Sequence, residues 1–154
     1  MAKQKTPASP FWRFLFLLYC AVMLWLLFGR SNGWDSGIPY ETQLRQNTNL
    51  APLLTIRNYL YTLIHSDSQY MVRHCFINLA GNVLLFVPAG WLLPKLWSRQ
   101  RNFFRFFATC LGAIFLVEVL QLFTLLGRLD VDDMILNLSG MVLGFLIQRF
   151  FAKR

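Results

Sequence analysis

Acidic residues are scarce in this sequence: seven aspartates and glutamates stand against fifteen lysines and arginines among 154 residues. Charge of either sign accounts for only 14% of the chain, too little to clothe a soluble domain in which 56% of residues are hydrophobic. A water-soluble fold is thereby excluded, and the bilayer is the solvent that the composition calls for. Cysteine is sparse as well. Cys20, Cys75 and Cys110 are odd in number, lie in or near apolar stretches, and have neither metal-site spacing nor the even count of a disulfide framework. They read as small apolar packing residues. Internal repeats and low-complexity tracts are absent too, which argues against a transporter built from inverted repeats.

What is present in abundance is long apolar sequence. Four runs, about 11–28, 71–93, 103–126 and 131–151, are long enough to cross ~30 Å of hydrocarbon as helices. The first is too long for a cleaved signal and has no small-residue cleavage site before Gly29-Arg30-Ser31, so it reads as a retained helix. A fifth segment, LAPLLTIRNYLYTLI from Leu50 to Ile64, is shorter and carries Arg57 and Asn58 at its middle. It reads as an amphipathic or re-entrant segment. The sequence therefore predicts an all-α membrane protein, one domain over 1–154, with four transmembrane helices and a long extracytoplasmic loop at 29–70. That loop is too long for a plain turn, and its apolar second half favours an ordered lid over the bundle.

Charge sets the orientation. With both termini cytoplasmic and four crossings, the inside holds Lys3, Lys5, Arg13, Lys95, Arg99, Arg101, Arg105, Arg149, Lys153 and Arg154 with no acid among them. The outside holds Asp35, Glu41, Asp67, Asp130, Asp132 and Asp133, balanced by Arg30, Arg45, Arg57, Arg73 and Arg128. A spanning fifth segment would put the Lys95–Arg105 cluster outside, against the retention of positive charge in the cytoplasm. The net charge of +8 then belongs to a cell-membrane protein facing anionic lipid, and no nucleic acid is needed to explain it.

Polar residues inside the spans carry the functional signal. Glu118 is the only acid deep in a span, where an uncompensated carboxylate costs roughly 3 kcal/mol on insertion scales. It shares a helix face with Gln121. In the second span His74, Asn78 and Asn82 repeat every four residues, and in the fourth Asp133, Asn137, Gly140, Gly144 and Gln148 trace a similar stripe. With alternating helix directions these stripes meet in the outer half of the bilayer, Glu118 lying about 12 Å below the outer end of its helix. The convergence predicts an outward-opening polar pocket, roofed by the loop and the 127–133 turn, with Asp133 and Asn137 at its rim, Glu118 at its floor and Asp132 as a surface turn residue. Arg128 or His74 would keep Glu118 charged. The competing reading is that the amides only join helices. Gly140 and Gly144, and by extension Gly81 and Gly112, read as small residues permitting close helix approach. Pro88 should kink the second helix and Pro94 should end it.

The ordered set NLAPLLTI (49–56), NLAGNVLLFVPAGWLLP (78–94), EVLQ (118–121) and GRLDVDDMILNLSG (127–140) resembles the VanZ-like family of membrane proteins, over most of the chain from Asn49 to Gly144. The family's pattern falls here on Asn49, Pro52, Asn78, Asn82, Phe86, Pro88, Gly90, Glu118, Gln121, Arg128, Asp130, Asp133, Asn137 and Gly140. Leu53 departs from it, standing where an aromatic commonly follows the proline, and the interval from Arg128 to Asp130 is one residue short. The resemblance implies a place in the bacterial cell envelope and a link to resistance against teicoplanin, a lipid-bearing glycopeptide.

Two functions follow as expectations. In the first, a non-catalytic protein binds an amphiphile, such as a lipid-linked cell-wall precursor or a lipoglycopeptide, through His74, Asn78, Asn82, Glu118, Gln121, Arg128, Asp130, Asp133 and Asn137. In the second, a membrane-embedded enzyme acts on a lipid-linked phosphate or glycan, with Glu118 or Asp133 as general base and Arg128 neutralising phosphate. Asp130, Asp133, Glu118 and His74 have metal-ligand chemistry but match neither HExxH nor an EF-hand loop, so no metal or cofactor is expected. Ser139 and Cys75 lack a nucleophile elbow, and His65 reads as a loop residue.

Overall fold

The computed structural model describes residues 9–29 and 35–152. The charges at Lys3, Lys5, Arg30, Lys153 and Arg154 used for the orientation lie outside those residues. The chain forms helices α1 (Pro10–Phe28), α2 (Tyr40–Gln46), α3 (Leu54–His65), α4 (Gln69–Leu96), α5 (Phe103–Thr124) and α6 (Val131–Ala152), with two-residue strands β1 (Thr48–Asn49) and β2 (Leu129–Asp130). Helices α1, α4, α5 and α6 are long and apolar enough to cross a membrane, so the all-α, four-helix membrane fold expected from the sequence is the one observed. At 1.5 Å per residue α3 reaches only about 18 Å, short of a crossing.

The centre of the bundle is the α4–α6 seam. It closes because glycines from both helices face the opposite backbone: a Cβ on Gly140 would strike the Val83 carbonyl, one on Gly144 the Val87 carbonyl, and one on Gly90 the Met141 carbonyl. Gly140 and Gly144 thus do what a small-xxx-small pair does in lipid. Gly81 and Gly112 do not, since a Cβ at either would meet open space. Helix α4 continues two residues past Pro94, which was expected to end it, and stops at Leu96 with Trp97 as its C-cap. Pro94 is buried, and its carbonyl accepts from the Arg101 side chain at 3.3 Å, which secures the tight turn Ser98–Arg101 leading into α5.

Phe86 and Ala89 of α4, Phe106, Cys110 and Ile114 of α5, and Met141 and Phe145 of α6 form the apolar core. Helix α1 adds Met23 to it, packs Tyr19, Leu26 and Leu27 against it, and lies at the edge. It is tied there by polar contacts at its middle and at both ends. The Tyr19 hydroxyl donates to the Leu85 carbonyl (3.0 Å), Gln121 Nε2 donates to the Leu27 carbonyl (2.7 Å), and Lys95 Nζ sits 3.3 Å over the Trp12 ring. Cys75 and Cys110 are buried and free, as packing residues. Large apolar side chains such as Phe104, Phe115, Leu116 and Phe151 point outward, which suits lipid.

The loop is described from Asp35 onward. Gln43, buried, folds it back by donating to the Asp35 and Ile38 carbonyls and accepting from the Asp35 amide. The Tyr40 hydroxyl then reaches the Phe123 carbonyl (2.8 Å), and β1 pairs in parallel with β2, Thr48 opposite Leu129 and Asn49 opposite Asp130. Nothing in the sequence announced this strand pair.

Candidate functional site

The nine residues expected to bind a ligand lie toward the end of the bundle where α4 and α6 begin and α5 ends, whereas Gln148 of the α6 stripe lies at the other end beside Arg101 and Arg149. Two overlapping groups stand out, sharing Thr55 and Asp130.

The first group is a latch. Leu53 precedes α3 with a left-handed backbone (φ 63°), a conformation that costs a non-glycine residue about 1–2 kcal/mol, and offers no side-chain cap. The cap comes from another helix. Asp132 Oδ1 accepts from the Leu53 amide and Oδ2 from the Ile56 amide (3.0 Å), so a carboxylate sits on the positive end of α3. Asp132 is fully buried, which corrects its reading as a surface turn residue. Asp130 completes the joint: its Oδ2 accepts from Thr55 Oγ1 (2.8 Å) and Asn49 Nδ2 (3.2 Å), and its Oδ1 accepts from the Asp132 amide (2.9 Å). The NLAPLLTI and LDVDD stretches are therefore two halves of one hydrogen-bonded fastening.

Glu118 and Gln121 also serve the joint. Glu118, buried, accepts the Asp130 amide at 3.2 Å, so its partner is backbone rather than the Arg128 or His74 side chain expected to balance it. Gln121 turns away from the polar residues to hold the end of α1, and its side chain fills the space that a Cβ on Gly127 would need.

The second group lines a polar cavity of about 410 Å³. His74 and Asn78 of α4, Arg128 and Asp130 of the α5–α6 turn, and Asp133 of α6 stand on one side, with Thr55, Asn58 and Tyr59 of α3 on the other. His74 is placed by Tyr59 edge-on at 6.2 Å and by Tyr70 stacked at 6.4 Å, with Asn78 Nδ2 3.3 Å from its Nε2. Asn82 lies one turn deeper and donates to Asp133 Oδ1. Of the nine residues expected to bind a ligand, five line this cavity (His74, Asn78, Arg128, Asp130, Asp133) and Asn82 supports it from behind. Glu118 and Asn137 instead face a separate apolar cleft between α1 and α5, of about 400 Å³, and Gln121 lines neither. The α3 residues went unforeseen, although Thr55, Asn58 and Tyr59 at i, i+3 and i+4 would share one helix face.

The burial of Tyr59 pushes its phenol above the ordinary value near 10, with Asp133 adding to the rise and Arg128 opposing it. The phenol is thus a proton donor at neutral pH. The cavity offers one permanent cation, a phenol, two amides, an imidazole and acceptor carboxylates, a mixture suited to a head group carrying both an anion and hydroxyls. Among the described residues no cluster of three or more histidine, cysteine or acidic side chains has the geometry to hold a metal ion.

Comparison with known proteins gives one match. The family model VanZ/LLP1 fits residues 16–152, and no curated protein and no solved structure matches. The matched region includes both halves of the latch, all eight residues of the polar cavity, α4, α5 and α6 in full, and α1 from Phe16 onward. The chain belongs to the VanZ/LLP1 family of membrane proteins.

Proposed function

We propose that the protein is a non-catalytic binding protein of the bacterial cell membrane, with both termini cytoplasmic, whose polar cavity opens outward and holds the head group of an amphiphile. The observation that carries this reading is the division of the acids. Asp130, Asp132 and Glu118 are engaged by backbone amides or by the latch, and only Asp133 faces the cavity without such a fastening. An enzyme that used Glu118 as general base would need it within reach of substrate in the polar cavity, whereas Glu118 faces the apolar cleft.

Orientation rests on the basic residues at the far end of the bundle, Lys95, Arg99, Arg101, Arg105 and Arg149, which belong inside. The head group is then in the outer leaflet, where lipid-linked cell-wall precursors and lipoglycopeptides of the teicoplanin type are encountered. Retention of such a molecule is the route by which the protein would protect a cell against it.

The test is to extract the protein with its native lipid and identify what travels with it by mass spectrometry. Wild type should retain one anionic, hydroxyl-bearing amphiphile well above its share of the bulk membrane. Arg128→Gln, at equal abundance, should retain it about tenfold less, the scale of one lost charge-assisted hydrogen bond. Identical lipid profiles for the two proteins would sink the head-group reading. Teicoplanin susceptibility of cells carrying either protein then measures the physiological consequence.

A further inference from the structure

The polar cavity and the apolar cleft are consecutive along the same two helix faces. On α4 the face runs His74, Asn78, Asn82, Phe86, Ala89 and Leu93, and on α6 it runs Asp133, Asn137 and Met141. The outer members of each line the polar cavity and the inner members line the cleft. The Asn82–Asp133 hydrogen bond stands between them, and the Glu118–Asp130 contact bounds them on the α5 side. Helix α3 covers the polar part, and α1 flanks the apolar part.

One atom in the cleft is unaccounted for. Asn137 is 5% exposed, and its Oδ1 is buried with no hydrogen-bond partner, at the end of the cleft nearest the polar cavity. A buried acceptor left unpaired costs about 1–3 kcal/mol. An amide oxygen only accepts, so the missing partner is a donor.

We propose that the cleft between α1 and α5 is the second half of a head-and-tail site: it takes the single hydrocarbon chain of the amphiphile whose head group lies in the polar cavity, and Asn137 Oδ1 accepts from a hydroxyl or amide N–H at the base of that chain. This rests on the head-group reading above and adds the class of ligand, a single-chain amphiphile with a donor at the head–tail junction. A cleft of about 400 Å³ falls within the ~300–1,000 Å³ typical of ligand sites. Asn82 and Asp133 form the narrow point between head and chain, and the chain passes when their contact yields.

The experiment uses the full-length protein in nanodiscs of phosphatidylethanolamine and phosphatidylglycerol. Three long-chain alkyl phosphate probes carry a mid-chain diazirine: one with a hydroxyl beside the head group, one with an amide N–H there, one with neither. After irradiation the adducts are mapped by mass spectrometry. Adducts should concentrate on cleft residues Cys20, Ala113 and Val117 over the lipid-facing Phe115 and Leu116 by about tenfold. Ala113→Trp should abolish that preference by filling the cleft. Asn137→Leu, of similar shape, should erase the advantage of the donor-bearing probes, expected at about five- to tenfold in wild type. The hydroxyl and amide arms tell which donor the site prefers.

Equal labelling of cleft and lipid-facing residues overturns the proposal, as does an Asn137→Leu protein that still favours donor-bearing probes. Should Ala113→Trp fail to accumulate, the Asn137→Leu series decides alone. Labelling of the cleft that is sensitive to Ala113→Trp but indifferent to Arg128→Gln overturns the head-group reading and the continuity of the two cavities, and leaves a site for the chain only.

Discussion

Asp132 and Asp133 are adjacent at the start of α6. Asp132 is completely buried and holds the Leu53 and Ile56 amides of a helix that begins nearly eighty residues earlier, whereas Asp133 lines the polar cavity and takes one side-chain hydrogen bond, from Asn82. On the Asp132 side, polar groups are matched one to one and the chain is fastened. On the Asp133 side, Arg128, His74, Asn58 and Tyr59 surround space. The same residue type, one position apart, serves folding on one flank and stays available on the other, because consecutive positions on a helix point about 100° apart. A buried polar group with every bond satisfied fixes a structure, while a polar group facing a cavity retains capacity for a ligand.

The largest effect should come from removing the support common to both flanks. Gly140→Val puts a branched side chain against the Val83 backbone carbonyl, and neither backbone can yield without opening the α4–α6 seam. A loss of about 3 kcal/mol or more is expected, at the upper end of overpacking costs. Abundance in the membrane, thermal stability and lipid retention should all fall together. A protein that accumulates normally would show that the seam is not what holds latch and cavity in place.

Next in size, and meant to separate the flanks, is the pair Asp132→Ala and Asp133→Asn. Asp132→Ala strands two amides at the start of α3 and should cost about 2–3 kcal/mol, seen as a lower midpoint in thermal unfolding in detergent. Asp133→Asn keeps the shape and one acceptor for Asn82, so stability should change little while the lipid retained by the cavity changes. Equal losses of stability from both variants would erase the distinction between latch and cavity.

The four long helices were legible in sequence because hydrocarbon thickness dictates their length, and the Gly140–Gly144 spacing was legible because close approach in lipid demands small residues. The polar end of the bundle was located for a similar reason: His74, Asn78, Asp133 and Asn137 recur at helical spacing. Which of them face the same space was not legible. Helical periodicity places a side chain on a face but does not name the neighbour of that face, so Gln121, which shares a face with Glu118, went to α1 instead. Asp132 was misread for a related cause: its partners, Leu53 and Ile56, are apolar residues whose contribution is backbone N–H, and no side-chain pattern records that. Gly81 and Gly112 look like Gly140 in sequence and differ only in having nothing opposite.

The smallest effect tests the cavity through a residue that the latch does not use. Tyr59 lies on α3 with its ring against His74, and burial first, then Asp133, raises the pKa of its phenol above the ordinary value near 10. A raised value means that the folded protein holds the phenolic proton more tightly. Whatever the phenol contributes is therefore fully present below the ordinary value and is lost only as pH rises through the raised one. Tyr59→Phe removes one hydrogen-bond donor to a bound head group and should weaken binding by about 0.5–1.5 kcal/mol, with little change in stability. The affinity ratio of wild type to Tyr59→Phe, measured for an alkyl phosphate in nanodiscs, should stay constant from neutral pH to about 10. A ratio that collapses by about pH 8 would mean the phenol ionises early, and the cavity would then be far more open to water and less shielded than the packing of α3 over it implies.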